Sequence, residues 1–262
     1  MTAAAALIDR PDSPLVDGLH PSPNVEPRRD GRRPDLILLH YTGMSSAEKA
    51  IDWLSRPESK VSAHYVVDLD GRITQLVAEA QRAWHAGVSE WAGDRDINSR
   101  SIGIEIQNPG HEDGYHDFTE AQMRAVTVLC RDILGRHAVP RERVLAHSDV
   151  APHRKIDPGE KFDWARLARD GVGHWVEPAM VDGRDGGLGT GSVDARVALM
   201  QGLLRDYGYG VPDHGVLDRQ TAKVVKAFQR HFRTGRVDGR IDASTLVTLE
   251  KLIATLPRAG VA

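Results

Sequence analysis

Ser101 to Asn108 reads SIGIEIQN. Ile102, Ile104 and Ile106 take one face of an extended chain, and Ser101, Gly103, Glu105 and Gln107 take the other, because side chains alternate with period two along a strand. DLILLH, residues 35–40, is apolar on both faces and ends in a histidine, which suits a central strand buried on each side. Val61, Ala63, Tyr65 and Val67 alternate with Ser62, His64, Val66 and Asp68. Asp70-Gly71 is a hairpin turn signal after them, and Arg72 to Leu76 reads as the return strand. His64 therefore points away from the apolar face, toward a cleft or toward solvent. Val144 to Ala146 is a further short strand, closed by His147.

Helical signals lie between these strands. Ser45 and Glu48 have capping-box spacing before Ala47, Ala50, Ile51 and Leu54. Thr119 and Gln122 form a second such pair, and Met123, Val126, Cys130, Ile133 and Leu134 form an apolar stripe behind it. That predicts a helix over 120–137 with Cys130 in the core. Strands alternating with helices predict an α/β domain over residues 30–177, a mixed central β-sheet flanked by helices.

Residues 1–29 read as an extended N-terminal arm: six prolines fall between 9 and 34, among many charges. The apolar opening Ala3–Ile8 lacks the basic start and length of a secretory signal. On sequence the chain is therefore read as cytoplasmic, with the periplasm or cell envelope as the alternative. Five glycines between Asp182 and Ser192 predict a flexible linker over 178–192. Beyond it, GVLDRQT (215–221) is echoed by GRIDAST (239–245), each with an Asp at a helix N-cap position. With an earlier stripe of Val197, Met200, Leu203 and Leu204, these predict a small C-terminal three-helix domain over 193–257, near the lower size limit for independent folding.

The chain has 262 residues and a net charge of −3, which argues against a broad phosphate-binding surface and so against nucleic acid. A single cysteine excludes an intrachain disulfide framework. No apolar run is long enough to span a bilayer. Oligomeric state leaves no mark in the sequence.

Two segments carry chemistry-bearing residues: His40 at a strand end, and HSDVAPHRKIDPG (147–159), where a histidine closes a strand and a proline-bounded loop brings Lys155 and Asp157 soon after it. Strand ends and their loops are where α/β sheets build sites. Two imidazoles and a carboxylate are a donor set that Zn2+ accepts with a fourth position open, although spacing alone does not bring His40 to His147. Glu105 interrupts an isoleucine-rich strand on its polar face. Asp149 and His153 read as structural, and histidines outside the candidate set read as surface residues.

The stretches LLHYTG (38–43), VSAHYVVDLDGRITQLV (61–77), AWHAG (83–87), SIGIEIQN (101–108) and LAHSDVAPHRKIDPG (145–159) resemble, in order, the zinc-dependent N-acetylmuramoyl-L-alanine amidases of the type 2 family, relatives of the peptidoglycan recognition proteins. SPN (22–24) recurs in some members. The C-terminal unit resembles the type 1 peptidoglycan-binding domain, with Asp218 and Asp242 where that family commonly has Gly. The resemblance implies that His40, His147 and Asp157 bind Zn2+. It implies that Glu105 is the catalytic acid/base and that Lys155 stabilises the oxyanion. His64, Trp84, His85 and Asn108 are candidate substrate contacts. The implied reaction is hydrolysis of the amide between N-acetylmuramic or anhydro-N-acetylmuramic acid and the L-alanine of the stem peptide, with peptidoglycan or muropeptides as partners. A non-catalytic peptidoglycan-binding protein of the same fold is the alternative. The appended domain suggests tethering to polymeric wall.

Overall fold

The computed structural model describes residues 7–256. Residues 3–6 of the apolar opening and residue 257 of the C-terminal unit lie outside that range. Eight strands run in chain order as β1 (Gly18–Leu19), β2 (Val25–Pro27), β3 (Leu36–Tyr41), β4 (Tyr65–Val67), β5 (Ile73–Gln75), β6 (Gln81–Ala83), β7 (Ser101–Ile106) and β8 (Val144–Ala146). The catalytic-type unit adds α1 (Ala47–Leu54), α2 (Glu120–Arg136), α3 (His147–Val150) and α4 (Trp164–Arg169), and the C-terminal unit adds α5 (Ala195–Tyr207), α6 (Arg219–Phe232) and α7 (Ala243–Ala254). A mixed six-stranded sheet has the order β1-β5-β4-β7-β3-β8. As the alternation predicts, Ile102, Ile104 and Ile106 pack with Ile37, Leu39 and the Met123, Val126, Cys130 and Ile133 stripe of α2. The Thr119–Gln122 capping box closes the start of α2.

Local expectations shift in two places. The cap of α1 is Ser46, whose Oγ accepts from the Lys49 amide, so the Ser45–Glu48 box does not form; Ser45 instead meets the Lys49 ammonium. The strand expected from Val61 begins only at Tyr65, because the backbone of Ser62 is bonded across to Trp84.

The described part of the N-terminal arm is a strap, anchored at several points. β1 pairs with β5 and β2 with β6, which covers sheet edges that would otherwise present unpaired backbone. The Asn24 amide donates to the carbonyls of Arg56 and Val61, each at 2.8 Å. The buried Arg28 guanidinium donates to the carbonyls of Glu79, Asn98 and Ser101. The strap and β6 together bury His64, whose Nδ1 accepts from the Gly103 amide at 3.0 Å and whose Nε2 faces the Gln81 carbonyl at 3.1 Å.

The glycine-rich stretch is also held rather than free. Leu188 bridges to Ile241 and Val193 to Val216. Asp185 accepts from the Ala243 amide at the start of α7, and Arg240 donates to the Gly187 carbonyl. The glycines allow the tight path, and the backbone they expose is paired.

The C-terminal unit has the three capped helices that were expected, with Asp218 and Asp242 each accepting from the amide three residues on at 2.7 Å. It is not a separate body. Leu36, Leu38, Leu145 and Val150 form one continuous core with Met200, Leu204, Val224 and Phe228. Burying one such side chain is worth about 1.5–3 kcal/mol, so a handful outweighs the freedom that a swinging domain would gain. The Asp149 carboxylate is fully buried in this interface. It accepts from Tyr209 Oη at 2.7 Å, from His231 Nδ1 at 2.6 Å and from the Ala146 amide at 2.8 Å. His231, expected at the surface, is buried and stacked on Trp164. Among the described residues no helix is long and apolar enough to cross a membrane.

Two outcomes follow for stability. Tyr209→Phe removes a buried hydrogen bond to a carboxylate and should cost about 1.5–3 kcal/mol in urea unfolding, with both units still melting in one transition. Burial, then the Arg28 charge, lowers the His64 pKa to about 3. The unfolded ring protonates near its usual pKa of about 6.5. Between those values the unfolded chain binds the extra proton, so stability falls as pH drops, by up to about 1.4 kcal/mol per unit. Urea midpoints of chelator-treated protein at several pH values should decline more steeply for the wild type than for His64→Gln.

Candidate metal centre

The register of three parallel strands brings the distant sequence segments together. In β3 and β7, His40 lies directly opposite Glu105. In β3 and β8, Leu39 lies opposite Ala146, so His147, the next residue, follows at the same end. All three side chains therefore stand at the carboxyl ends of neighbouring strands, where open α/β sheets hold ligands. Asp157 is returned to this point by the loop after α3, where its carbonyl accepts from the Ser148 amide at 3.0 Å. A cis Asp157–Pro158 bond and Gly159 follow it, Gly159 at φ +87° with Tyr115 and His111 packed where a side chain would go.

Three donor atoms converge. His40 Nδ1 and His147 Nδ1 are 2.8 Å apart, and Asp157 Oδ2 lies 3.2 Å from the first and 3.0 Å from the second. All three residues are buried. A tetrahedral ion with bonds of about 2.0–2.2 Å needs donor separations of roughly 3.3–3.6 Å, close to this triangle. The donor chemistry fits as well: two imidazole lone pairs and a carboxylate oxygen aimed at one point repel unless a cation or protons stand between them. Glu105 Oε1 is 4.0 Å from His40 Nδ1. Its Oε2 is buried with no hydrogen-bond partner among the described residues.

Electrostatics divides the two carboxylates. Burial opposes ionisation of Asp157, yet His147 and His40 hold its carboxyl well below the usual range. Burial and then the Asp157 charge push Glu105 well above the usual range, with Lys155 opposing. One acid is thus held as an anion that can ligate, and the other is made a stronger base. Burial, followed by His147, lowers the His40 pKa to about 4, so near neutral pH the ring is uncharged and keeps a lone pair for a metal. Lys155 is half-buried beside the site; its charge acts on both His40 and Glu105.

The structure thus brings His40, His147, Asp157, Glu105 and Lys155 to one place. Three of the four expected substrate contacts, His64, His85 and Asn108, are buried. His64 has no accessible surface, because the arm and β6 cover the face that the alternation turned outward. Asn108 is also fully buried and ties its own loop, donating to the His116 carbonyl and accepting from the Gly110 amide. His85 is buried behind His40, its Nδ1 3.0 Å from His40 Nε2. Trp84 keeps partial exposure, and its buried Nε1 has no partner among the described residues.

Sequence reasoning did not assign roles to Ala86, Asn98 or Ser101. The Ala86 carbonyl is 3.0 Å from His147 Nε2, with Arg154 Nη2 3.3 Å from the same nitrogen; a neutral ring that ligates through Nδ1 carries its proton on Nε2 and donates it to that carbonyl. Asn98 Oδ1 accepts from the amides of His85 and Ala86 and pins both. Backbone roles of this kind leave no residue-type signal. The nearest clue was the compact AWHAG segment itself.

Comparison with known proteins points to one family. The N-acetylmuramoyl-L-alanine amidase family model matches residues 30–160, and a putative peptidoglycan binding domain model matches residues 193–249. The chain is 36% identical over 231 residues to N-acetylmuramoyl-L-alanine amidase AmiD of Escherichia coli K12, covering 83% of this chain and 82% of AmiD. A solved complex of E. coli AmiD with anhydro-N-acetylmuramic acid-L-Ala-D-gamma-Glu-L-Lys superposes with a TM-score of 0.73 at 34% identity, covering 88% of this chain and 93% of that one. AmpDH3 of Pseudomonas aeruginosa in complex with anhydromuramic pentapeptide also gives 0.73, at 32% identity, covering 88% and 95%. Two domain matches in the order the fold displays, and similarity running through both, place this chain in the N-acetylmuramoyl-L-alanine amidase family.

Proposed function

We propose that this amidase uses zinc held by His40, His147 and Asp157 to hydrolyse the amide joining the lactyl carboxyl of N-acetylmuramic or anhydro-N-acetylmuramic acid to the L-alanine of the stem peptide. The observation that carries the reading is the triangle of His40 Nδ1, His147 Nδ1 and Asp157 Oδ2 with the unpartnered Glu105 carboxyl beside it. Zinc bound to those donors would polarise the amide carbonyl and acidify water. Glu105 takes a proton from the attacking water as its oxygen bonds to the carbonyl carbon. It then delivers that proton to the amide nitrogen as the C–N bond breaks, freeing the alanine amine and a lactyl carboxylic acid, which loses its remaining proton to solvent as the carboxylate. The Lys155 ammonium steadies the developing oxyanion, a contact worth about 3–4 kcal/mol. The half-buried Trp84 indole supplies a wall for sugar or peptide.

Two features bear on the substrate. The AmiD and AmpDH3 complexes hold anhydromuramyl peptides, which favours small anhydro-muropeptides. The peptidoglycan-binding-type domain favours polymeric wall. Side-by-side turnover of insoluble sacculi and of soluble anhydro-muropeptide decides between them.

Purified protein should contain about one zinc per chain, and chelation should abolish release of stem peptide until zinc is restored. His147→Ala should lose most of the bound metal by elemental analysis. Undiminished stoichiometry would overturn the ligand assignment. Glu105→Gln should keep its metal and lower kcat by about 10²–10⁴-fold. A zinc-loaded protein that binds muropeptides and releases no peptide would instead be a binding protein.

A further inference from the structure

We propose that His85 is a positioning residue for the metal centre: it accepts the Nε2 proton of His40 and so fixes the ring whose Nδ1 ligates. The hydrogen-bond geometry assigns every proton along the line. His40 Nδ1 faces His147 and Asp157, and as a ligand it carries no proton. The neutral ring then carries its proton on Nε2, 3.0 Å from His85 Nδ1, which must accept. His85 therefore holds its own proton on Nε2, 3.2 Å from Ser101 Oγ. Ser101 in turn donates to the Ile97 carbonyl at 2.7 Å. The line runs from ligand to main chain with each donor meeting one acceptor.

A second observation points the same way. A Cβ placed on Gly103 would stand 2.5 Å from Cγ and Nδ1 of the His85 ring and 2.7 Å from its Cδ2. Glycine weakens the interior of a strand, and β7 carries it where the imidazole lies flat against the backbone. The Asn98 side chain pins the main chain of His85 and Ala86 together. Ala86 is the residue whose carbonyl receives the His147 Nε2 proton. One two-residue segment therefore serves the rear nitrogen of both histidine ligands. Such outer partners fix the tautomer and ring orientation of a ligating histidine and raise its basicity.

This rests on the zinc reading above, and the experiment separates the two. Zinc affinity is measured by competition with a chromophoric chelator on metal-free, full-length protein, with near-UV circular dichroism reporting the fold. His85→Ala should bind zinc about 10–100-fold more weakly while remaining folded. His85→Asn places an amide oxygen where Nδ1 stood and should recover most of that loss. Gly103→Ala keeps the imidazole but displaces it, and should weaken zinc binding in the same direction as His85→Ala. A wild-type protein with no measurable zinc affinity would sink the zinc reading itself. Wild-type zinc affinity in folded His85→Ala, or equal losses in His85→Asn and His85→Ala, would overturn the positioning role alone.

Discussion

Two imidazole nitrogens and one carboxylate oxygen, each buried, point at a common centre from 2.8 to 3.2 Å apart. Left to themselves such lone pairs would separate, and the surrounding fold is what holds them. The sheet supplies the alignment, since parallel pairing of β3 with β7 and with β8 brings His40, Glu105 and His147 to one end. The loop after α3 returns Asp157, and the Ala86 carbonyl and His85 occupy the rear nitrogens. Acid–base capacity follows from the same crowding. Burial, and then the neighbouring Asp157 anion, make Glu105 hold its proton more tightly.

Much of this was legible along the chain. Period-two alternation located β7, the doubly apolar run located β3, and a histidine closing the 144–146 run marked the third strand end. The first two signals are strong because central strands answer mainly to their immediate apolar surroundings, whereas β8 lies at the sheet edge and is marked by its closing histidine. His64 shows where such reasoning stops. The alternation holds only from Tyr65, with Val61 and Ala63 packing beside Val66 instead, and a distant proline-rich segment helps cover His64; local periodicity carries no information about what arrives from elsewhere in the chain. The same holds for Ser45, one residue from the true cap, and for the glycine-rich stretch, whose composition permits freedom that pairing with Ile241 and Val216 removes. The role of Ala86 is invisible in principle, because any residue has a carbonyl.

Asp149 links these levels. It lies two residues after His147 and receives Tyr209 and His231 from the C-terminal unit, so the turn that carries His147 is also the turn on which the second domain docks. Asp149 is therefore structural, as the sequence suggested, in a buried interface between the two units.

That docking gives the molecule a set gauge. With β3, β8, α5 and α6 sharing one core, anything held by the C-terminal unit would stand at a constant offset from the His40, His147 and Asp157 cluster instead of at the random reach of a tether.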